Sequence, residues 1–170
     1  MNRRNPLVLR TSLLVVLLPL AGAASAQDVR PRPQVWGNVN LVSYHLGDEE
    51  EFLPPGEDFN QENYGGGIEV QWKPRHAVAA GYYRNSVDED SFYALYHYTP
   101  LELGRFVRVG GMIGAVTGYP GYNDGGIAPA GGFIAKIENN RVGVNVIYLP
   151  KIADITPNTL ALQFKVRFGR

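Results

Sequence analysis

The sequence predicts an all-β chain, an eight-stranded antiparallel up-and-down transmembrane β-barrel, and three observations carry that expectation. The first is the stretch Thr159 to Phe168, in which Leu160, Leu162, Phe164, Val166 and Phe168 alternate with Ala161, Gln163, Lys165 and Arg167. Successive side chains of a strand point to opposite faces, so this stretch has one apolar and one polar face. Ten residues is also about what a tilted strand needs to cross a bilayer. The second is composition: 20 Gly and 10 Tyr, no Cys, and no segment after the first 26 residues with a helical period. The third is the alternation of short and long connections between the strand-like segments, as in bacterial outer-membrane barrels.

The chain start has the form of an export signal. Arg3, Arg4 and Arg10 precede the short apolar run Leu13 to Leu20, and Ala24-Ser25-Ala26 is a small-residue cleavage site before Gln27. The run is too short for a spanning helix, which needs about 20 apolar residues. The expectation is therefore a signal peptide over 1–26 and a barrel domain over 27–170, located in the cell outer membrane. The leader holds three of the 16 basic residues and no acid, which leaves 13 basic against 16 acidic residues. A mildly acidic chain without a basic stripe argues against nucleic acid as a partner. Without Cys there is neither a disulfide framework nor a thiolate metal site, and His45, His76 and His97 lack zinc-ligand spacing. No cofactor is implied.

Taken in order, strands are expected near 35–46, 64–73, 76–86, 90–101, 105–118, 126–138, 141–150 and 159–168. In the second, Ile68, Val70 and Trp72 alternate with Glu69 and Gln71; in the fifth, Val107, Val109 and Ile113 oppose Arg108 and Met112. In the seventh, Val142, Val144, Val146 and Tyr148 alternate with Gly143 and Asn145. Lys73-Pro74-Arg75, Glu102-Leu103-Gly104 and Glu138-Asn139-Asn140 read as tight turns, and Gly47 to Asn63, Tyr119 to Gly125 and Lys151 to Asn158 as longer loops. The link Val87 to Glu89 is short where the pattern wants a long one, unless its flanking strands end earlier. Trp36, Tyr64, Trp72, Tyr98, Phe106, Tyr119, Tyr148 and Phe168 lie near strand ends and suit interfacial girdles. A soluble, lipocalin-like barrel is the alternative, but its outer face needs more Lys and Glu than the polar faces here supply.

With this topology the odd strands run outward, bringing Ser43 and His45 of the first strand to the same rim as Arg84, Asn85 and Ser86 of the third. A Ser near a His is the minimum for nucleophilic or general-base acyl chemistry, and i, i+2 spacing puts Ser43 and His45 on one face. Glu69, Arg84, Arg108, Lys165 and Arg167 read as lumen ion pairs. The acidic run Asp48 to Glu51 has carboxylates of the kind that hold Ca²⁺ or Mg²⁺ between lipopolysaccharide phosphates, although such runs are more often solvated loops.

Several stretches together resemble the outer-membrane lipid A palmitoyltransferase family (PagP-like). They are Tyr44-His45, Phe59-Asn60-Gln61-Glu62-Asn63-Tyr64-Gly65-Gly66-Gly67, Tyr83-Arg84-Asn85-Ser86, Gly114-Ala115-Val116-Thr117, Pro129 and Tyr148-Leu149-Pro150. The resemblance implies an enzyme that moves an acyl chain from a phospholipid to lipid A at the outer leaflet, with phospholipid and lipopolysaccharide as partners. It implies His45 as base, Ser86 as its partner, and Asn85 standing where the family has Asp. It also implies lipid access beside Pro129 and Pro150, and His97 at the floor of the acyl well, where the family has glycine. Asn40 stands at the family's first-strand proline, and the stretch Gln27 to Gln34 has no room for the family's leading amphipathic helix. Two other readings stay open. One is a lipid A deacylase using Ser43 and His45; the other is a non-enzymatic barrel with a structural or surface-interaction role.

Overall fold

The computed structural model describes residues 32–47, 53, 56–152 and 157–169. The expected signal peptide, and all but Leu53 of the segment Asp48 to Pro55, lie outside the described residues. Eight strands follow in chain order: β1 (Gln34–Leu46), β2 (Gly65–Lys73), β3 (His76–Arg84), β4 (Asp90–Leu103), β5 (Val107–Val116), β6 (Ala128–Glu138), β7 (Val142–Leu149) and β8 (Asn158–Phe168). Each pairs antiparallel with its neighbour in sequence, and β1 pairs with β8 to close the barrel. Closure leaves no free edge, the one way a sheet satisfies its backbone polar groups in hydrocarbon.

The faces sort as the alternation predicts. On β8, Phe164, Val166 and Phe168 are exposed on the outside while Gln163 and Lys165 are buried inside. Ile68, Val78, Phe92, Ile113, Phe133 and Ile137 extend the exposed apolar face around the wall. An apolar band this continuous is unfavourable in water by about 25 cal/mol for each Å². In a bilayer it is the lipid-facing surface, so the chain is a transmembrane barrel. The short turns and both strand termini share one end, the turn end; the longer connections share the other, the loop end.

β3 stops at Arg84, two residues earlier than expected, which lengthens the β3–β4 connection to Asn85–Glu89 and restores the short–long alternation. Asn85 makes that turn: its Oδ1 accepts the Val87 and Glu89 amides, and the backbone passes through a left-handed Asp88 (φ 55°). Two girdle expectations fail. Trp36 points into the lumen and is 1 % exposed, because it shares the parity of Asn38 and Asn40. Tyr119 turns to the barrel mouth, where its hydroxyl lies 2.9 Å from that of Tyr83.

Candidate functional site

The lumen is built in layers. Towards the turn end lies a charged plug centred on Glu69, which is fully buried. Lys136 Nζ and Lys165 Nζ both donate to Glu69 Oε1, at 2.8 and 2.9 Å, and His97 Nδ1 lies 3.4 Å from Oε2. Lys165 also pairs with Glu138, which takes Arg108 as well, and Arg108 reaches Gln71 and the Pro74 carbonyl at the mouth of the turn end. Lys165 Nζ sits 4.7 Å from the centre of the Trp36 ring, a cation–π contact. An amide chain completes the layer, with Asn145 donating to Gln163 and Gln163 to Asn40. Buried charges persist only when paired and hydrogen-bonded, and here each carboxylate serves more than one cation.

One step towards the loop end, the side of the lumen formed by β4 to β8 becomes apolar, while Asn38, Ser43 and Ser91 keep the rest polar. Leu95, Ile134, Ile147 and Ala161 stand two residues above His97, Lys136, Asn145 and Gln163 on their own strands, on the same inward face. Met112, Ile134 and Ile147 form a buried cluster on which the partly buried Leu95, Leu149 and Ala161 pack. The charge network therefore ends about halfway up. Inward glycines Gly114 and Gly132 and alanines Ala128 and Ala130 line the wall of β5 and β6 above the cluster. His97 lies directly below this cluster, its Nδ1 3.4 Å from Glu69, so its imidazole belongs to the plug.

The mouth depends on one irregularity in β1. Asn40 pairs with Gln163 but Val42 pairs with Leu162, so Leu41 is an extra residue, a β-bulge. An insertion of one residue reverses the parity of everything after it. Trp36, Asn38 and Asn40 face inward below the bulge; above it Ser43 and His45 do, paired with Ala161 and Thr159. Ser43 Oγ is buried with no hydrogen-bond partner. The His45 ring stacks on Phe59 with centroids 4.0 Å apart.

The segment Phe59 to Asn63 of the β1–β2 connection lies across the mouth and is stitched to both sides. Ser43 N–H donates to the Gln61 carbonyl, Asn60 N–H to that of Ser86, Asn60 Nδ2 to that of Asn85, and Asn63 Nδ2 to that of Arg84. Phe59 and Asn60 thus stand between His45 and Ser86, with Phe59 stacked on the imidazole and Asn60 bonded to the Ser86 backbone. Asn85 is fully buried, and its Nδ2 donates to Ser91 Oγ at 2.9 Å and the Gly118 carbonyl at 2.6 Å. With both ends of its amide committed, Asn85 holds the β3–β4 and β5–β6 connections together. Burial raises the Tyr119 phenol, and hydrogen bonds with Tyr83 and Ser86 oppose that shift.

Pro129 and Pro150 flank a gap in the ladder. β6 is paired with β5 from Ala128 onward, but with β7 only from the Phe133–Tyr148 pair towards the turn end. The β6–β7 seam therefore lacks ladder pairing over the loop-end part of β6. Pro129 has no N–H to give, and Pro150 directly follows β7. On the lipid face of β2–β5, two shallow concavities of about 520 and 460 Å³ share Ile68 and Ala80.

Arg84, expected in the lumen, is outside it. It shares the outward parity of Val78, Ala80 and Tyr82 and binds Asp90 at 3.1 Å. Lys136 and Glu138, central to the plug, were not among the expected lumen charges. Their signal was the opposition of Phe133, Ala135 and Ile137 to Ile134, Lys136 and Glu138 along β6.

No protein-family model matches this chain, and no curated protein matches it. Among solved structures it is similar to the de novo designed TMB2.3, known from solution NMR, with a TM-score of 0.58 and 17 % identity over 85 % of this chain and 100 % of that one. The N-terminal β-barrel domain of Pseudomonas aeruginosa OprF also matches, with a TM-score of 0.47 and 13 % identity over 79 % of this chain and 97 % of that one. The likeness to TMB2.3 is one of fold.

Proposed function

We propose that this barrel is an outer-membrane enzyme of the lipid A acyltransferase type, holding an acyl chain in the loop-end half of its lumen and moving it from phospholipid to lipid A. The observation that carries this reading is the change of lumen chemistry at mid-height. A charged plug closes the turn end, and above it the buried apolar cluster of Met112, Ile134 and Ile147 lies beside the unpaired part of the β6–β7 seam. A hydrocarbon chain suits such a surface; ions and sugars do not. The inward-facing His45 stands at the barrel mouth as the candidate base.

Ser86 is its candidate partner by resemblance. Ser43 is the better placed hydroxyl for chemistry, because its Oγ is buried, faces inward and has no hydrogen-bond partner. With His45 taking its proton, Ser43 would attack an ester carbonyl. The C–O bond to the donor's alcohol breaks, His45 returns the proton to that alcohol, and the acyl-serine is resolved by water in a deacylase or by a second hydroxyl in a transferase. The second reading is a non-enzymatic barrel, and the Glu69-centred plug favours it, since it fills the turn-end half without leaving a conduit.

Mass spectrometry of lipid A from cells expressing the wild type, His45→Ala, Ser43→Ala and Ser86→Ala tests both readings. A gain of one acyl chain with the wild type and not with His45→Ala supports transfer, and a loss with the same dependence supports deacylation. Spectra that match the empty-vector control, with the barrel folded in the membrane, leave the non-enzymatic barrel.

A further inference from the structure

The two ends of the barrel carry opposite charge. Among the described residues, the exposed charges at the turn end are Arg32, Lys73, Arg75, Arg105 and Arg141 against Glu102 alone. At the loop end the balance is reversed, with seven exposed carboxylates, Asp88 and Asp90 among them, against Arg84 and Lys151. Each of the three short turns bears a cation, so the positive charge forms a ring. Beside it on the lipid face runs an aromatic belt that includes Trp72, Tyr98, Phe106 and Phe168, all exposed.

We propose that the turn end of the barrel is a docking surface for the anionic headgroups of phospholipids in the leaflet it faces, with its best-built seat at the β2–β3 corner. There Lys73 and Arg75 bracket Pro74 at the foot of an aromatic cluster. The ring of His76 is fixed by a 2.6 Å hydrogen bond between its Nδ1 and Tyr96 Oη, and lies 5.0 Å from that of Tyr98 and 6.1 Å from that of Trp72. Aromatic rings mark the headgroup level of a bilayer, and cations at that level meet phosphate oxygens. Arg105 repeats the arrangement one turn away, its guanidinium 4.7 Å from the centre of the Phe106 ring. The ring of charge selects lipids with net negative charge over zwitterionic ones, and the acidic loop end does not.

Trp72 is a built-in reporter for the seat. The full barrel carrying Trp36→Phe is folded into vesicles containing either brominated phosphatidylglycerol or brominated phosphatidylcholine at equal mole fraction, and quenching of Trp72 is compared. The proposal expects stronger quenching by the anionic lipid at low salt. That excess shrinks about fivefold with Lys73→Gln and further with Arg75→Gln added, and it disappears in about 1 M salt, where the screening length is about 3 Å. Equal quenching by the two lipids, or a preference untouched by salt and by Lys73→Gln, overturns it. Should the double variant fail to fold, as judged by migration of unboiled samples, the salt series on the unaltered corner decides.

Discussion

Glu69→Gln removes one charge from the middle of the plug while keeping its shape. In the wild type one oxygen of Glu69 receives both Lys136 and Lys165, within 2.9 Å, and the whole side chain is out of contact with solvent. Lys165 keeps Glu138 after the change. Lys136 loses the carboxylate that balances it and stays 1 % exposed between Ile134 and Glu138 on its strand. Breaking a buried ion pair by removing one partner costs about 3–5 kcal/mol, since the other charge is left desolvated and uncompensated. The expected loss is therefore about 3 kcal/mol or more, a shift of about a hundredfold in the folding equilibrium.

Reversible urea unfolding in lipid vesicles, followed by circular dichroism and by gel mobility of unheated samples, measures it. Adding Lys136→Met to Glu69→Gln restores most of the loss, because the stranded ammonium is then gone and an apolar side chain continues the layer of Ile134 and Met112. A Glu69→Gln variant within about 1 kcal/mol of the wild type, or a double variant no better than the single, refutes the claim that Glu69 neutralises Lys136.

Other positions make separate tests. Gly67→Ala puts a Cβ 2.3 Å from the Tyr93 hydroxyl and 2.6 Å from the Ala80 carbonyl oxygen, so it destabilises by about 1–3 kcal/mol in urea unfolding, and Tyr93→Phe relieves part of that. Asn85→Asp replaces the amide that donates to Ser91 and Gly118 with a group facing the Gly118 carbonyl; it costs about 1–3 kcal/mol in the same assay, with no gain of acyl transfer in lipid A spectra. Deleting Leu41 and Val42 together places Ser43 directly after the inward Asn40 and turns Ser43 and His45 to the lipid side, so under the proposed function any change in lipid A is lost while gel mobility still reports a closed barrel.

Most of the fold is legible in the sequence because lipid outside and a filled lumen inside impose a period of two on nearly every strand. Strand ends were less legible. Nothing in the alternation through Tyr83-Arg84-Asn85-Ser86 stops β3 at Arg84; the stop is made by Asn85, whose side chain turns back onto its own backbone amides and across to Gly118. Trp36 was misplaced by residue type: a Trp near a strand end suggests a girdle, yet Asn38 and Asn40 on the same parity mark its face as the inner one.

The site was legible in its residues and hidden in its geometry. The i, i+2 spacing of Ser43 and His45 fixes only that they share a face; which face depends on the single extra residue Leu41, and no spacing rule shows a bulge. Counted from Trp36 by strict alternation through Leu41, both side chains point into lipid and the pair means nothing for acyl chemistry. Counted with the bulge, both face the lumen opposite Ala161 and Thr159, the side the proposed function requires. The acyl-transfer reading thus rests on a backbone irregularity of one residue as much as on any side chain. Deleting Leu41 alone removes the bulge and leaves Ser43 and His45 inward, opposite Ala161 and Thr159, so comparing it with the deletion of both Leu41 and Val42 separates a requirement for the inward face from a requirement for the bulge itself.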